Sequence, residues 1–173
     1  MSELLTGLPA AIVPGARLLI LGSLPGAESL RRGEYYAHPR NRFWDIVETL
    51  FAIPRAVPYA ERLTRLGTCG VGLWDVVARG RRRGSLDAGI DTATVEANDF
   101  AALFAAQPAL TDVCFNGQKA AALYRKLVLP QLSPAHARLV YHTLPSTSPA
   151  HAALSAADKY RRWAAVLQPV CGR

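Results

Sequence analysis

The sequence has no run of about 18 apolar residues, so no membrane-spanning helix is expected. Its first residues lack a basic stretch followed by an apolar one and a small-residue cleavage site, so secretion is not expected either. Cysteine is scarce. Cys69, Cys114 and Cys171 lie far apart, and no CxxC or Cys/His spacing offers ligands to zinc or an iron–sulfur cluster. Buried free thiols in a reducing cytoplasm are the expectation. Lysine is scarce too: of 20 basic residues, 17 are Arg and three are Lys. No Gly-Lys-Ser/Thr completes a P-loop. Internal repeats, low-complexity tracts and interdomain linkers are all missing, which points to one domain over residues 1–173.

That length is enough to bury a sizeable core. Half of the residues are hydrophobic and 19% are charged, an ordinary globular composition. The net charge of +7 and a sequence pI near 9.8 suit a polyanionic partner, and the Arg fork suits phosphate. A GC-rich genome would enrich Arg and Ala equally well, so charge alone leaves the partner open.

Four apolar runs read as strands: Leu18 to Leu21, Gly70 to Trp74, Asp112 to Phe115 and Arg138 to Tyr141. Helical spacing falls between and after them, at Phe43 to Phe51, Asn98 to Ala106, Gln118 to Leu127 and Ser155 to about Leu167. Strands alternating with helices imply βαβ units and a mainly parallel sheet. Ligands then bind beyond the carboxyl ends of the strands, where loops beginning at Gly22, Asp75, Asn116 and His142 should meet. Residues 1–14 read as a helix or an arm.

Two of these loops stand out. Gly22-Ser23-Leu24-Pro25-Gly26 is a tight turn after a strand, where glycine lets the backbone approach a ligand closely. Tyr36 to Trp44 then packs aromatics, His38, Arg40, Asn41 and Arg42 into nine residues. Tyr36 can stack on a base. Asn41 can hold a water or a base edge, or can cap the helix that follows. His38 suits phosphate or a backbone turn. Phe43 and Trp44 read as core. Asp75 ends a buried strand and can accept a ring N–H, or can serve as an N-cap. Arg79 and Arg81 to Arg83 read as a basic loop, able to touch phosphate but solvated by default. Asn116 reads equally as a helix cap or as part of a site. Ser146-Thr147-Ser148-Pro149 and His151 lie in a rigid, hydroxyl-rich loop that can press on DNA and bond phosphates.

Together these segments resemble the uracil-DNA glycosylase superfamily. Ala37 to Trp44 is similar to the AHPxNRFW stretch of its mismatch-specific branch. The closer resemblance is to the hypoxanthine-DNA glycosylase-like family, whose pattern combines GSxPG, SL, YYAHPRNxFW, LWDV, GSLD and LPSTSPA. Here these are Gly22 to Gly26, Ser29-Leu30, Tyr35 to Trp44, Leu73 to Val76, Gly84 to Asp87 and Leu144 to Ala150. The resemblance implies a three-layer α/β/α sandwich around a four-stranded parallel sheet. It implies a monofunctional enzyme without metal or cofactor that flips a deaminated base (hypoxanthine, with uracil or xanthine as further candidates) from DNA and hydrolyses its N-glycosidic bond.

By the same resemblance Asn41 is the catalytic residue, Tyr36 stacks on the flipped base, and Asp75 reads its edge beside Ser23 and Leu24. Two departures matter. Most of the superfamily has a catalytic Asp or Asn where this chain has Leu24, and often a His where it has Leu144. Neither apolar side chain can orient water. Strand separation is expected to rest on Pro149 and His151, since no large apolar residue lies in Ser148 to His151. The expected partner is DNA carrying a deaminated base, with no membrane, for a monomer at the nucleoid in a bacterial cytoplasm. A uracil-specific glycosylase, a catalytically silent binder of damaged or abasic DNA and a generic nucleotide-binding protein remain alternatives.

Overall fold

An unbroken apolar run must be covered on both faces if it forms a strand. Leu18–Gly22 (β2) is such a run, and all five residues are buried. Leu18 and Ile20 enter one core with Phe43, Trp44, Leu66 and Trp163. Leu19 and Leu21 enter the other with Phe100, Phe104, Ala120 and Tyr124. The computed structural model describes residues 3–171, the side chains of Ala137 and Cys171 excepted.

β2 lies between β3 (Val71–Asp75) and β6 (Asp112–Asn116), and β7 (Val140–Leu144) pairs with β6. All three pairings are parallel. Helices α2 (Phe43–Phe51), α3 (Tyr59–Thr68) and α6 (Ala156–Cys171) supply one core, and α4 (Phe100–Ala106) and α5 (Gln118–Leu127) supply the other. This is the expected α/β/α sandwich. The chain passes from β2 to β3 on one side and returns to β6 on the other, which opens a crevice beyond the carboxyl ends of β2 and β6. Among the described residues no helix is long and apolar enough to cross a membrane.

The structure adds a second sheet. β1 (Leu4–Thr6), β4 (Val77–Arg82) and β5 (Ile90–Ala97) form an antiparallel sheet in the order β1-β4-β5. The run expected as a solvated basic loop is therefore largely β4. Its alternation explains the difference: Arg79 and Arg81 face outward while Gly80 and Arg82 are buried. Arg79 pairs across the sheet with Glu96 at 2.7 Å.

The amino-terminal residues are neither a helix nor a free arm. β1 pairs with β4, and Ala11 bridges to Leu73, while residues 1 and 2 lie outside the described part. β7 runs to Leu144 rather than stopping at Tyr141, so the last loop opens at Pro145. Two helices that the apolar spacing did not mark are α1 (Ala27–Arg32) and α3. Cys114 is buried and Cys69 half-buried, and the Cys171 side chain lies outside the described residues.

Candidate active site

The four carboxyl ends converge on a cleft of about 700 Å³, a size suited to a nucleoside-sized ligand. Its floor starts with Gly22, which sits beside Asp75 in the sheet. A Cβ on Gly22 would lie 2.3 Å from Asp75 Oδ1, so only glycine lets that carboxyl rest on the strand end. Asp75 is 4% exposed, and its Oδ2 has no hydrogen-bond partner among the described residues. Burial pushes this carboxyl up to about 8; the charge of Asp87 adds to the rise, and Arg82 opposes it. Asp75 does not cap a helix. Its backbone carbonyl instead accepts from Asn98 Nδ2 at 2.8 Å.

Asp87 opens the short helical turn Asp87–Gly89 and lines the cleft. It accepts from Ser23 Oγ at 2.5 Å, which ties the first loop to the β4–β5 connection. Arg82 lies beneath. Its Nε donates to the Gly84 carbonyl at 3.0 Å and its guanidinium donates to the Leu24 carbonyl at 3.3 Å. The side chain of Leu24 is buried in the core, so this residue faces the cleft through its backbone.

One wall is the segment before α2. Tyr36 has φ +57°, a left-handed backbone that costs a residue other than glycine about 1 kcal/mol. Its neighbours hold it there. Tyr35 N donates to Tyr59 Oη, Trp44 Nε1 donates to Tyr35 O, and Ala37 N donates to Ser29 Oγ. The Tyr36 ring stacks on Phe43 with centroids 4.0 Å apart, which covers one of its faces. Its hydroxyl is buried and, like Asp75 Oδ2, has no well-aligned hydrogen bond among the described residues, although the Asn116 side chain lies near enough to act on it. Burial first, then Asp75, hold this phenol far above its usual range, with Asn116 pulling the other way.

Asn41 lines the same cleft. Its Oδ1 accepts from Phe43 N at 2.9 Å, which fixes the amide orientation. Nδ2 and the second lone pair of Oδ1 remain for a ligand. Asn41 thus both steadies the start of α2 and faces the site. His38 Nδ1 accepts from Arg40 N at 3.2 Å, so in a neutral ring the proton sits on Nε2.

The opposite wall is the last loop, which is fastened from four sides. Asn116 and Thr147 pair reciprocally: Asn116 Nδ2 donates to Thr147 Oγ1 at 2.9 Å, and Thr147 N donates to Asn116 Oδ1 at 2.9 Å. Trp163 Nε1 donates to Pro145 O, Lys159 Nζ donates to His151 O, and Arg42 N donates to Thr147 O. Asn116 therefore braces a loop and does not cap α5, whose N-cap position is Gly117 at φ +101°.

Of the residues singled out from sequence, Ser23, Leu24, Tyr36, His38, Asn41, Asp75, Ser146, Thr147, Ser148, Pro149 and His151 all line this cleft. Arg40 does not; it stands exposed on the turn beside it. Thr147 is fully buried, so its hydroxyl serves the loop and cannot itself touch DNA. The residues missed are Asp87, Arg82, Lys159 and Leu86. The GSLD segment was the signal for Asp87 and Leu86; Arg82 was hidden in a charge run.

The model of the uracil DNA glycosylase superfamily matches residues 9–168. A hypoxanthine DNA glycosylase of Methanosarcina acetivorans is 38% identical over 141 residues, covering 76% of this chain and 88% of that one. A hypoxanthine DNA glycosylase of Methanosarcina barkeri is 40% identical over 114 residues, covering 65% of this chain and 71% of that one. A solution NMR structure from Methanosarcina acetivorans, provisionally described as a uracil DNA glycosylase, superposes with a TM-score of 0.80 at 34% identity. That superposition covers 97% of this chain and 99% of the other. With the match spanning nearly every strand and both walls of the cleft, the chain belongs to the uracil DNA glycosylase superfamily.

Proposed function

We propose that this DNA N-glycosylase removes hypoxanthine from DNA, accepting uracil and xanthine less readily. The observation that carries the proposal is the cleft floor, where Asp75 and Tyr36 line one cleft and Asp75 Oδ2 and Tyr36 Oη are buried without a well-aligned hydrogen-bond partner among the described residues. Buried polar atoms are normally satisfied, so two orphans in one cleft suit the polar edge of a bound ring. The two relatives named for hypoxanthine support the choice of base.

Hydrolysis breaks the bond between C1′ and the base nitrogen. The bonding electrons leave with the base, positive charge grows on the sugar, and water adds to C1′. Asn41 would hold that water through the amide atoms that Phe43 leaves free. An amide is a weak base, but little basicity is needed when the bond breaks ahead of attack, and positioning carries much of the effect. His38 would face phosphate through Nε2.

Flipping needs something to fill the emptied stack. Pro149 and His151 stand on one rim. On the other stands Leu86, 57% exposed and the one exposed large apolar side chain lining the cleft among the described residues. Leu86 is the better wedge.

One observation favours a second reading. Leu24 and Leu144 are buried in the cores, so neither family position supplies a polar catalytic group, as in a silent binder of damaged DNA. Oligonucleotides carrying one hypoxanthine, uracil or xanthine separate the two. A glycosylase leaves alkali-labile sites, fastest with hypoxanthine, whereas a silent binder holds lesion DNA and leaves none.

A further inference from the structure

The cleft floor carries two carboxyl groups, and among the described residues no cation is paired with either. Asp75 Oδ1 rests on Gly22, and Oδ2 has no hydrogen-bond partner among the described residues. Asp87 is held over the same floor by the Ser23 hydroxyl. The groups facing Asp75 can be named element by element. β4 presents Arg82, and the turn after it presents Asp87. The segment before α2 and the start of α3 present the phenols of Tyr35, Tyr36 and Tyr59. At this end β2 and β6 present only Gly22 and Asn116. Lys119 and Arg162 also line the cleft, but Arg82 is the cation whose charge acts on Asp75, and it donates to two backbone carbonyls, forming no ion pair with either carboxyl among the described residues. A buried carboxylate beside a second carboxylate, without a paired cation, is strongly disfavoured.

We propose that Asp75 works as a neutral carboxylic acid that reads the deaminated base, and that Asp87 is a positioning residue that adds to the effect of burial in keeping it neutral. The inference rests on the glycosylase function proposed above. A neutral carboxyl sets one O–H donor beside one acceptor, the same pattern as an amide. The lactam edges of hypoxanthine and uracil set a ring N–H beside a carbonyl. The acid carbonyl accepts the N–H, and the acid O–H donates to the ring oxygen. As the glycosidic electrons pass to the base, charge gathers on that oxygen and the donated hydrogen bond strengthens. An ionised Asp75 would lose the donor and repel the departing base. The proton released by the attacking water goes to the base or to solvent, and Asp75 keeps its own. Tyr36 Oη reaches the same space and can donate beside it.

The test is single-turnover release of hypoxanthine from about pH 6 to about pH 9.5 for wild type, Asp75→Asn and Asp87→Asn. Asparagine keeps the donor–acceptor pattern at position 75 and cannot ionise. At position 87 it keeps an acceptor for Ser23 and removes the charge. The wild-type rate should fall about tenfold between pH 7 and pH 9, because the acid loses its proton. Asp75→Asn should stay level over that range, and Asp87→Asn should move the fall to lower pH. An infrared difference band of a protonated carboxyl, present in wild type at neutral pH and absent from Asp75→Asn, reports the same state without turnover. Loss of release in Asp75→Asn at neutral pH, with a wild-type rate that rises with pH, overturns the neutral acid. An alkaline fall unmoved by Asp87→Asn overturns the part given to Asp87. If wild type releases no base from any strand yet shows the acid band, the glycosylase function fails and the neutral Asp75 stands.

Discussion

Gly22 shows how little room the floor leaves. A methyl group there would overlap Asp75 Oδ1, and Tyr36 Oη lies 3.7 Å from the same point. Gly22→Ala should therefore push the carboxyl off the strand end and slow base release at least about tenfold, with a small change in melting temperature, as kinetics and thermal unfolding would record. Single residues were partly legible from sequence. Asn41, Tyr36 and Asp75 stood out because they occur at strand ends or in a segment too polar for a core. Asp87 and Arg82 did not, because their place depends on a hairpin folding back across the first loop. Nothing local to Arg82 distinguishes it from Arg81 and Arg83, yet Arg82 is buried under Leu24 O and the other two face solvent.

At the scale of elements, the two walls differ in how they are held. The last loop is fixed by side chains from β6 and α6 through Asn116, Lys159 and Trp163, so its shape is set before DNA arrives. Thr147→Val removes the Asn116 acceptor in a fully buried spot and should destabilise the fold by about 1–3 kcal/mol, measurable by denaturant unfolding. The facing rim is the β4–β5 connection, which carries Leu86. Leu86→Ala should slow release from duplex DNA about tenfold and leave single-stranded DNA nearly unchanged, because only the duplex has a stack to refill. Paired duplex and single-strand rates check it; equal losses on both would remove Leu86 from that role. The parallel sheet was legible because its strands are continuous apolar runs. The antiparallel sheet was not, since outward arginines on β4 look like a solvated loop until their cross-strand partner Glu96 is placed.

At the scale of the whole molecule, charge and protonation dominate. With a net charge of +7, DNA binding should weaken steeply as salt rises, and a flat salt dependence would favour a small-nucleotide binder. Asp75 also couples stability to pH. Its folded carboxyl holds a proton up to about 8, whereas the unfolded chain releases it in the ordinary carboxylate range. The folded state thus binds more protons across that window, and stability should fall as pH rises through it, by at most about 1.4 kcal/mol per pH unit. Denaturant unfolding of wild type against Asp75→Asn isolates this contribution: the variant should gain on wild type up to about pH 8 and no further. Family membership was legible from ordered motifs spread along the chain, while the charge state of the floor required the three-dimensional arrangement. The most direct measurement is hypoxanthine release from a labelled oligonucleotide by wild type and Asn41→Ala, with abasic sites revealed by alkali. Release by wild type that falls at least about a hundredfold in Asn41→Ala is the predicted result. Release untouched by the substitution, or none from wild type, would contradict it.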